Sequence, residues 1–196
     1  MVQPGGKLSP LHLPILTPRL VLRMAAPSDA RPIAGVLNDR EFSRNTGSIP
    51  FPYTTKHAEA YIHRIRRVVR KGEQLGLTMA HRRTRELLGG IGLHNLDWTS
   101  LRAEIGYWVG RANWGRGYAS EAVSAVCKEA FGRLHLHRIE ANVFPFNLAS
   151  ARVLSHVGFV KEGLQRERVR KGRIWLDVES YSLLASDFKP YKRDRA

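Results

Sequence analysis

The sequence predicts an α/β protein with one mixed sheet and helices packed on its faces. Strand-like alternation and helix-like spacing interleave along the chain in the order β-α-α-β-β-β-α-β-α-β-β. The length of 196 residues suits one domain, and 43% hydrophobic with 25% charged residues is a globular composition. We expect the domain at 17–190, after a loose Pro- and Gly-rich lead-in at 1–16 and before a basic tail at 191–196.

The first elements are a strand and two helices. Residues 19–24 alternate between apolar and polar side chains, which predicts a strand. Ser28 is expected to cap the first helix, and Thr55 a second helix that ends near Gly72. The Gly- and Pro-containing stretch 41–53 between them is predicted to be irregular.

The rest of the chain alternates strands and helices. Two apolar runs flank the turn 82–85, which predicts a hairpin. Gly158 is expected to end the last helix as its C-cap. The predicted elements are strands at 75–81, 87–93 and 104–109, a helix at 120–134, a strand at 137–143, a helix at 147–157, and strands at 160–169 and 175–185.

Composition limits the class of protein. No apolar run approaches the roughly 18 residues of a membrane span, and the first 15 residues lack the apolar core of a secretory signal. The single cysteine, Cys127, excludes an intrachain disulfide framework and a cysteine-built zinc site. The eight histidines show no ligand spacing, so no metal site is predicted. We expect a cytoplasmic protein.

The net charge of +15 favours anionic partners, which include nucleic acid, acidic proteins and polyphosphate ligands. Basic residues cluster at 64–71 and 166–173. Each cluster is either a binding patch or an ordinary solvated face. No helix-turn-helix, zinc-finger or RNP-type pattern is present, so direct nucleic-acid binding is not expected to be the main role.

A strand, a glycine turn and a helix start follow one another at 104–120. Gly115 and Gly117 allow backbone N–H groups to approach a ligand, and the helix start adds unpaired donors and a positive dipole end. This pattern is typical of an anion site, although a strand-to-helix turn without a ligand is the alternative. Either Arg111 or Arg116 could add charge. The turn matches neither the Walker A nor the dinucleotide pattern.

Several motifs in order resemble the GNAT superfamily of acetyl-CoA-dependent N-acetyltransferases, in particular its Rim-type (ribosomal-protein-alanine) branch. They are Pro18-Arg19-Leu20-Val21-Leu22-Arg23, the run Ala103-Glu104-Ile105-Gly106-Tyr107-Trp108-Val109, the turn and helix start at 114–122, and residues 137–142 and 147–163. The resemblance implies a GNAT-like acyl-CoA N-acyltransferase fold. It also implies acetyl-CoA as cosubstrate, with direct transfer to a primary amine.

The favoured acceptor is the N-terminal amine of a protein such as a ribosomal protein. A small-molecule amine acceptor and a non-catalytic nucleic-acid-binding module are the alternatives. In this fold the acceptor groove would lie between residues 43–53 and 166–175. Because Arg166, Arg168 and Arg170 are basic, we expect an acceptor with negative charge or one presented on a nucleoprotein surface.

The resemblance also implies where the cofactor binds. Its pantetheine arm would pair with the backbone in a cleft between strands 104–109 and 138–143. Asn147 would contact the cofactor or simply cap its helix. The cofactor-binding residues expected on this basis are Trp108, Val109, Trp114, Gly115, Arg116, Gly117, Tyr118, Ala119, Ser120 and Asn147.

Two residues are candidates for catalysis. Glu104 would act as general base through water, and the alternative is a surface carboxylate paired with an arginine. Ser150 aligns with a serine proposed to protonate the leaving thiolate, and the alternative is an exposed first-turn serine. Leu154 stands where many relatives carry a tyrosine that acts as the general acid. Since no covalent intermediate is required, Cys127 is expected to be a core residue.

Overall fold

The computed structural model describes residue 8 and residues 11–191. The strands are β1 (Ile15–Leu16), β2 (Leu20–Arg23), β3 (Leu75–His81), β4 (Leu87–Asp97), β5 (Arg102–Val109), β6 (Arg138–Val143), β7 (Val160–Lys171) and β8 (Ile174–Leu184). The helices are α1 (Ala30–Leu37), α2 (Arg40–Asn45), α3 (Thr55–Lys71), α4 (Tyr118–Gly132) and α5 (Leu148–Val157).

The strands form one sheet in the order β1-β2-β3-β4-β5-β6-β8-β7. All neighbours are antiparallel except β5 and β6, which are parallel. The predicted mixed sheet is therefore confirmed, and the predicted order holds apart from two added elements, β1 and α2. The β3–β4 hairpin and the β7–β8 hairpin are both as expected.

The structure differs from the predicted secondary structure in three short segments. α2 lies in the stretch predicted to be irregular, and its N-cap Asp39 accepts a hydrogen bond from the Glu41 N–H. Thr54, one residue before the predicted Thr55, caps α3. Ser28 lies within a short 3-10 turn, Pro27–Asp29, rather than at a cap.

The stretch expected as a lead-in contributes to the fold in part. Ile15–Leu16 form a strand, and Leu8 is buried. Residues 1–7, 9 and 10 of that stretch, and residues 192–196 of the expected tail, lie outside the described residues. The bounds of the domain stay a prediction.

Two cores lie on opposite faces of the sheet. Val123, Val126 and Leu154 of α4 and α5 are fully buried against one face. Ile33 and Ile62 of α1 and α3 belong to a separate core on the other face. No helix among the described residues is long and apolar enough to cross a membrane.

Alternation along β5 divides its side chains between these cores. Ala103 and Ile105 pack with α4 and α5, while Trp108 packs with the α1–α3 core. Because successive side chains on a strand point to opposite faces, Glu104 lies on the same face as Trp108.

Candidate active site

The parallel strands β5 and β6 pair over only three residues and then stop pairing. The last pair is Glu104 with Glu140. Beyond it, β5 stays paired with β4 up to Val109, and β6 stays paired with β8 up to Val143. The region between residues 105–109 and residues 141–143 is called the wedge below. Its backbone groups have no strand partner across it among the described residues.

The register of β4 and β5 shows which backbone groups face the wedge. The Gly110 N–H donates to the Leu88 carbonyl at 2.8 Å. Backbone groups alternate along an antiparallel strand, so those of Trp108 point toward β4. The Trp108 carbonyl oxygen accordingly lies only 2.2 Å from where a Cβ on Gly89 would be. Tyr107 therefore takes the place expected for Trp108 and directs its N–H and carbonyl into the wedge.

Val109 faces the wedge as expected, with one qualification. Its carbonyl already accepts a hydrogen bond from the Trp114 indole Nε1 at 2.6 Å, which leaves its N–H for a ligand. The backbone of Trp108 does not face the wedge, but its indole ring packs edge-on against the Phe42 ring of α2, with the ring centres 6.2 Å apart. Phe42 also packs against the Trp114 ring at 6.4 Å, so α2 is fixed beside the wedge.

The glycine turn ends at the start of α4. Gly115 and Gly117 have φ of +71° and +74°, a backbone region that favours glycine. Gly117 is the N-cap and provides no side-chain acceptor, so the first-turn N–H groups of α4 are uncapped. Residues 114–116 are exposed, Tyr118 and Ala119 are half-buried, and Ser120 is buried.

A network from the start of β2 holds this turn in place. The Glu121 carboxylate accepts from the Thr17 hydroxyl at 2.6 Å, from the Arg19 N–H at 2.9 Å and from Arg19 Nε at 2.6 Å. Arg19 Nη1 donates to the Arg116 carbonyl at 2.8 Å, and the guanidinium lies 4.5 Å from the Tyr118 ring centre. These contacts fix the shape of the turn. Sequence reasoning did not identify Arg19 and Glu121 as site residues.

The start of α5 faces the same wedge. Asn147 is the N-cap, and its Oδ1 accepts from the Ser150 N–H at 3.1 Å, which leaves its amide Nδ2 as a donor. The Ser150 hydroxyl and the Tyr107 hydroxyl are hydrogen-bonded at 2.8 Å. Tyr107 thus bridges from β5 to α5. Burial raises the Tyr107 pKa, so its phenol stays protonated.

Glu104 lies at the closed end of the wedge. Its Oε2 accepts a hydrogen bond from Asn95 Nδ2 at 3.0 Å and lies 3.9 Å from His94 Nδ1. The alternative that it pairs with an arginine is not what the described residues show, because Arg102 and Arg138 pair with Glu140 instead. Glu104 therefore keeps acceptor capacity for a water or an amine.

Residues 19–160 match the family model described as an acetyltransferase (GNAT) domain. The chain belongs to the GNAT acetyltransferase family. It is 35% identical over 175 residues to the uncharacterized N-acetyltransferase p20 of Bacillus licheniformis, covering 89% of this chain and 97% of that protein. It is 31% identical over 107 residues to the ribosomal protein uS5-alanine N-acetyltransferase of Escherichia coli (strain K12), covering 54% and 55%. Mycobacterium smegmatis RimJ in complex with CoA-disulfide superimposes with a TM-score of 0.78 at 25% identity, covering 85% and 82%.

This GNAT protein is an acetyl-CoA-dependent N-acetyltransferase, which confirms the predicted family, fold, enzyme class and cosubstrate. The roles of its individual site residues stay predictions. Among residue 8 and residues 11–191, no group of three or more His, Cys, Asp or Glu side chains is arranged to hold a metal ion.

The two arginines beside the glycine turn of the acetyltransferase differ in their surroundings. Arg111 Nη1 lies 3.7 Å from Asp39 Oδ2, so part of its charge is already matched. Arg116 is exposed, and no carboxylate of the described chain lies within 4.0 Å of its guanidinium. Arg116 is thus the better placed of the two to meet a diphosphate.

Cys127 is the core residue that the sequence predicted. It is fully buried in α4, and burial raises the pKa of its thiol. A neutral, covered thiol cannot act as a nucleophile. Cys127 is therefore not a candidate for carrying a covalent acetyl intermediate.

A cavity of about 470 Å³ lies between α2 and the β7–β8 hairpin, and it is called the hairpin cavity below. It falls where the acceptor groove was expected, between the stretches 43–53 and 166–175. Its lining does not include Arg166, Arg168 or Arg170, whose expected role toward the acceptor stays a prediction. The lining residues are Arg40, Ser43, Arg44, Phe51, Phe146, Lys171, Ile174 and Leu176.

Proposed function

We propose that this enzyme acetylates the α-amino group of a protein N-terminus, most readily that of a ribosomal or ribosome-associated protein. The observation that carries the proposal is the position of Glu104. It closes the wedge with a carboxylate that no arginine neutralises, on the face of the sheet that also bears the hairpin cavity. The Escherichia coli relative is named for an acceptor of this kind.

In this proposal the cofactor lies along the wedge. Its diphosphate sits on the uncapped N–H groups of residues 115–120, with charge from Arg116. Its pantetheine arm pairs with the free backbone groups of Tyr107 and Val109, as an added strand would. Asn147 donates from its amide nitrogen. The acetyl group then reaches the closed end of the wedge.

The reaction proceeds by direct attack. The acceptor nitrogen attacks the thioester carbon, and its proton passes to Glu104 through a water molecule. The backbone N–H groups that face the wedge stabilise the oxyanion. The C–S bond then breaks, and the thiolate receives the proton of the Ser150 hydroxyl, which regains one from solvent. Tyr107 keeps its own proton and holds the Ser150 hydroxyl in place.

A small-molecule amine is the second candidate acceptor. The volume of the hairpin cavity falls within the range of about 300–1,000 Å³ that is typical of small-ligand pockets. An enzyme of that class would prefer free amino acids, polyamines or aromatic amines to peptides.

A thiol-release assay across a library of N-terminal hexapeptides and a panel of small amines tests the proposal. We expect peptides to react with higher kcat/KM than the small amines. Mass spectrometry should place the acetyl group on the α-nitrogen rather than on a lysine side chain. A preference for small amines, or acetylation on lysine, would overturn the proposal.

A further inference from the structure

We infer that the hairpin cavity selects acceptor peptides with an apolar side chain followed by a carboxylate at about their fifth to seventh residues. Arg40 and Arg44 would bind the carboxylate. The apolar side chain would pack among Phe51, Phe146 and Ile174. This inference rests on the proposed function, because it names which N-termini the site accepts.

The charge of the cavity supports an acidic occupant. Its lining contains three cationic side chains and no carboxylate. One of them, Lys171, is committed to the fold: its Nζ donates to the carbonyls of Ser43, Arg44 and Thr46 at the end of α2. This contact ties the β7–β8 hairpin to α2. Arg40 and Arg44 remain for a ligand.

The two arginines are arranged to present their N–H edges. The Arg40 guanidinium lies 5.1 Å from the Phe51 ring centre, and that of Arg44 lies 5.5 Å from the Phe146 ring centre. Contact with an aromatic ring leaves the N–H donors of a guanidinium available for a carboxylate. The pair of Arg44 with Glu41 is long, at 3.7 Å, and 66% of the Arg44 side chain is exposed, so it competes weakly.

The apolar part of the cavity is unusually exposed. Phe51, Phe146 and Ile174 are 43%, 44% and 59% exposed, although each is a large hydrophobic side chain. An apolar group placed among them would cover this surface, and removing apolar surface from water is favourable. The cavity therefore suits a peptide that places an apolar side chain next to its acidic side chain.

The cavity and Glu104 share one face of the sheet. Glu104 pairs with Glu140, and Glu140 pairs with Ser182 of β8. Since side chains two apart on a strand point the same way, Leu176 and Ile174 of β8 lie on that face as well. A peptide can thus run from Glu104 to the cavity without crossing the sheet.

The distance along the sheet sets the position of the recognised residues. Ser182 is in register with Glu104 through Glu140, and Leu176 of the cavity lining is six residues from Ser182 along β8, or about 20 Å at roughly 3.3 Å per residue. An extended peptide covers that span in about six residues.

Four octapeptides with an N-terminal Ala test the inference: Ala-Gly-Gly-Gly-Phe-Glu-Gly-Gly, its Glu-to-Gln and Phe-to-Gly forms, and one with both changes. We expect the Gln form to lose about tenfold in kcat/KM, as for a lost charge-assisted contact. The double variant R40Q/R44Q should bring the acidic peptide down to the level of its Gln form. R67Q/R70Q, which removes the same two charges from exposed positions on α3, should keep the preference.

The possible outcomes distinguish a failure of the inference about the cavity from a failure of the proposed function. Equal kcat/KM for the Glu and Gln peptides in the unmodified enzyme would overturn the inference and leave the proposed function standing. Acetylation of small amines but of none of the peptides would overturn both. Acetyl-CoA affinity serves as the check that R40Q/R44Q is folded, and a preference that persists in a variant of normal affinity would also overturn the inference.

Discussion

The glycine turn and the hairpin cavity flank the same wedge but are built in different ways. The turn offers backbone N–H groups, and contacts of Arg19 with Glu121 and with the Arg116 carbonyl fix its shape. The cavity offers the tips of exposed side chains, such as Arg40 and Ile174. A substitution at an exposed tip changes recognition without changing the backbone. The comparison suggests that the part of the site for the invariant cosubstrate is built into the fold, whereas the part for the acceptor lies on replaceable side chains.

The largest expected effect lies where the two regions meet. Glu104→Gln removes the proposed base while keeping the side chain's shape, so turnover should fall about 10²- to 10⁴-fold. Acetyl-CoA affinity, measured by calorimetry, should stay within about twofold because Glu104 lies outside the glycine turn. Glu59→Gln, at an exposed position on α3, is the matched control and should keep full turnover. Normal turnover in E104Q would reject this role for Glu104.

The second effect tests whether the turn depends on buried contacts. Glu121→Gln leaves the partly buried Arg19 without its charged partner, which should lower the free energy of unfolding by about 1–3 kcal/mol. Urea denaturation measures this. Glu73→Gln removes an exposed carboxylate 3.7 Å from Lys71 and should cost less than about 0.5 kcal/mol. Equal losses in the two variants would contradict the comparison.

A third variant tests the backbone of the turn directly. Gly117→Ala forces a side chain onto a residue with φ of +74°, at a cost of roughly 1–2 kcal/mol. A Cβ there would lie 3.5 Å from Arg19 Nη2, which is ordinary contact, so the cost is conformational. We expect the Kd for acetyl-CoA to rise about tenfold. Gly132→Ala, at the end of α4 with nothing within 4 Å, should leave the Kd unchanged.

The smallest effect concerns an ion pair of β7 at the closed end of the wedge. Arg138 and the Ser182 hydroxyl bind the Glu162 carboxylate, which lowers the Glu162 pKa to about 2 from the usual 4.5. A lowered pKa stabilises the fold above pH 4.5, and this contribution is lost as the pH falls toward 2. At pH 7 the urea midpoint of the unmodified protein should therefore be slightly higher than that of the Glu162→Gln variant. The two should converge near pH 2, and a constant difference across that range would contradict the assignment.

Local signals allowed much of the fold to be predicted from the sequence. Gly158 ends α5 with φ of +101°, and Asn147 caps its start, as their residue types indicate. The glycine turn was likewise predicted from 104–120. These features depend on neighbours within a few residues, which a single sequence displays.

The contacts that complete the site join distant parts of the chain. Arg19 meets Glu121 across 102 positions, and Tyr107 meets Ser150 across 43. Nothing in the local pattern of either residue indicates its partner. α2 was missed because six residues are too few to show helical periodicity. Arg40 and Arg44 of the hairpin cavity were not identified for the related reason that the packing of α2 against the β7–β8 hairpin is not visible in the local sequence.

The unpaired edges of the wedge also affect the protein before any catalysis. A sheet interrupted at its centre lacks hydrogen bonds that a bound cosubstrate would supply, so occupancy and folding are thermodynamically linked. Saturation at 100 times the Kd adds about 2.7 kcal/mol to the free energy of unfolding. Resistance of this enzyme to heat and proteolysis should therefore rise and fall with the supply of activated acetate.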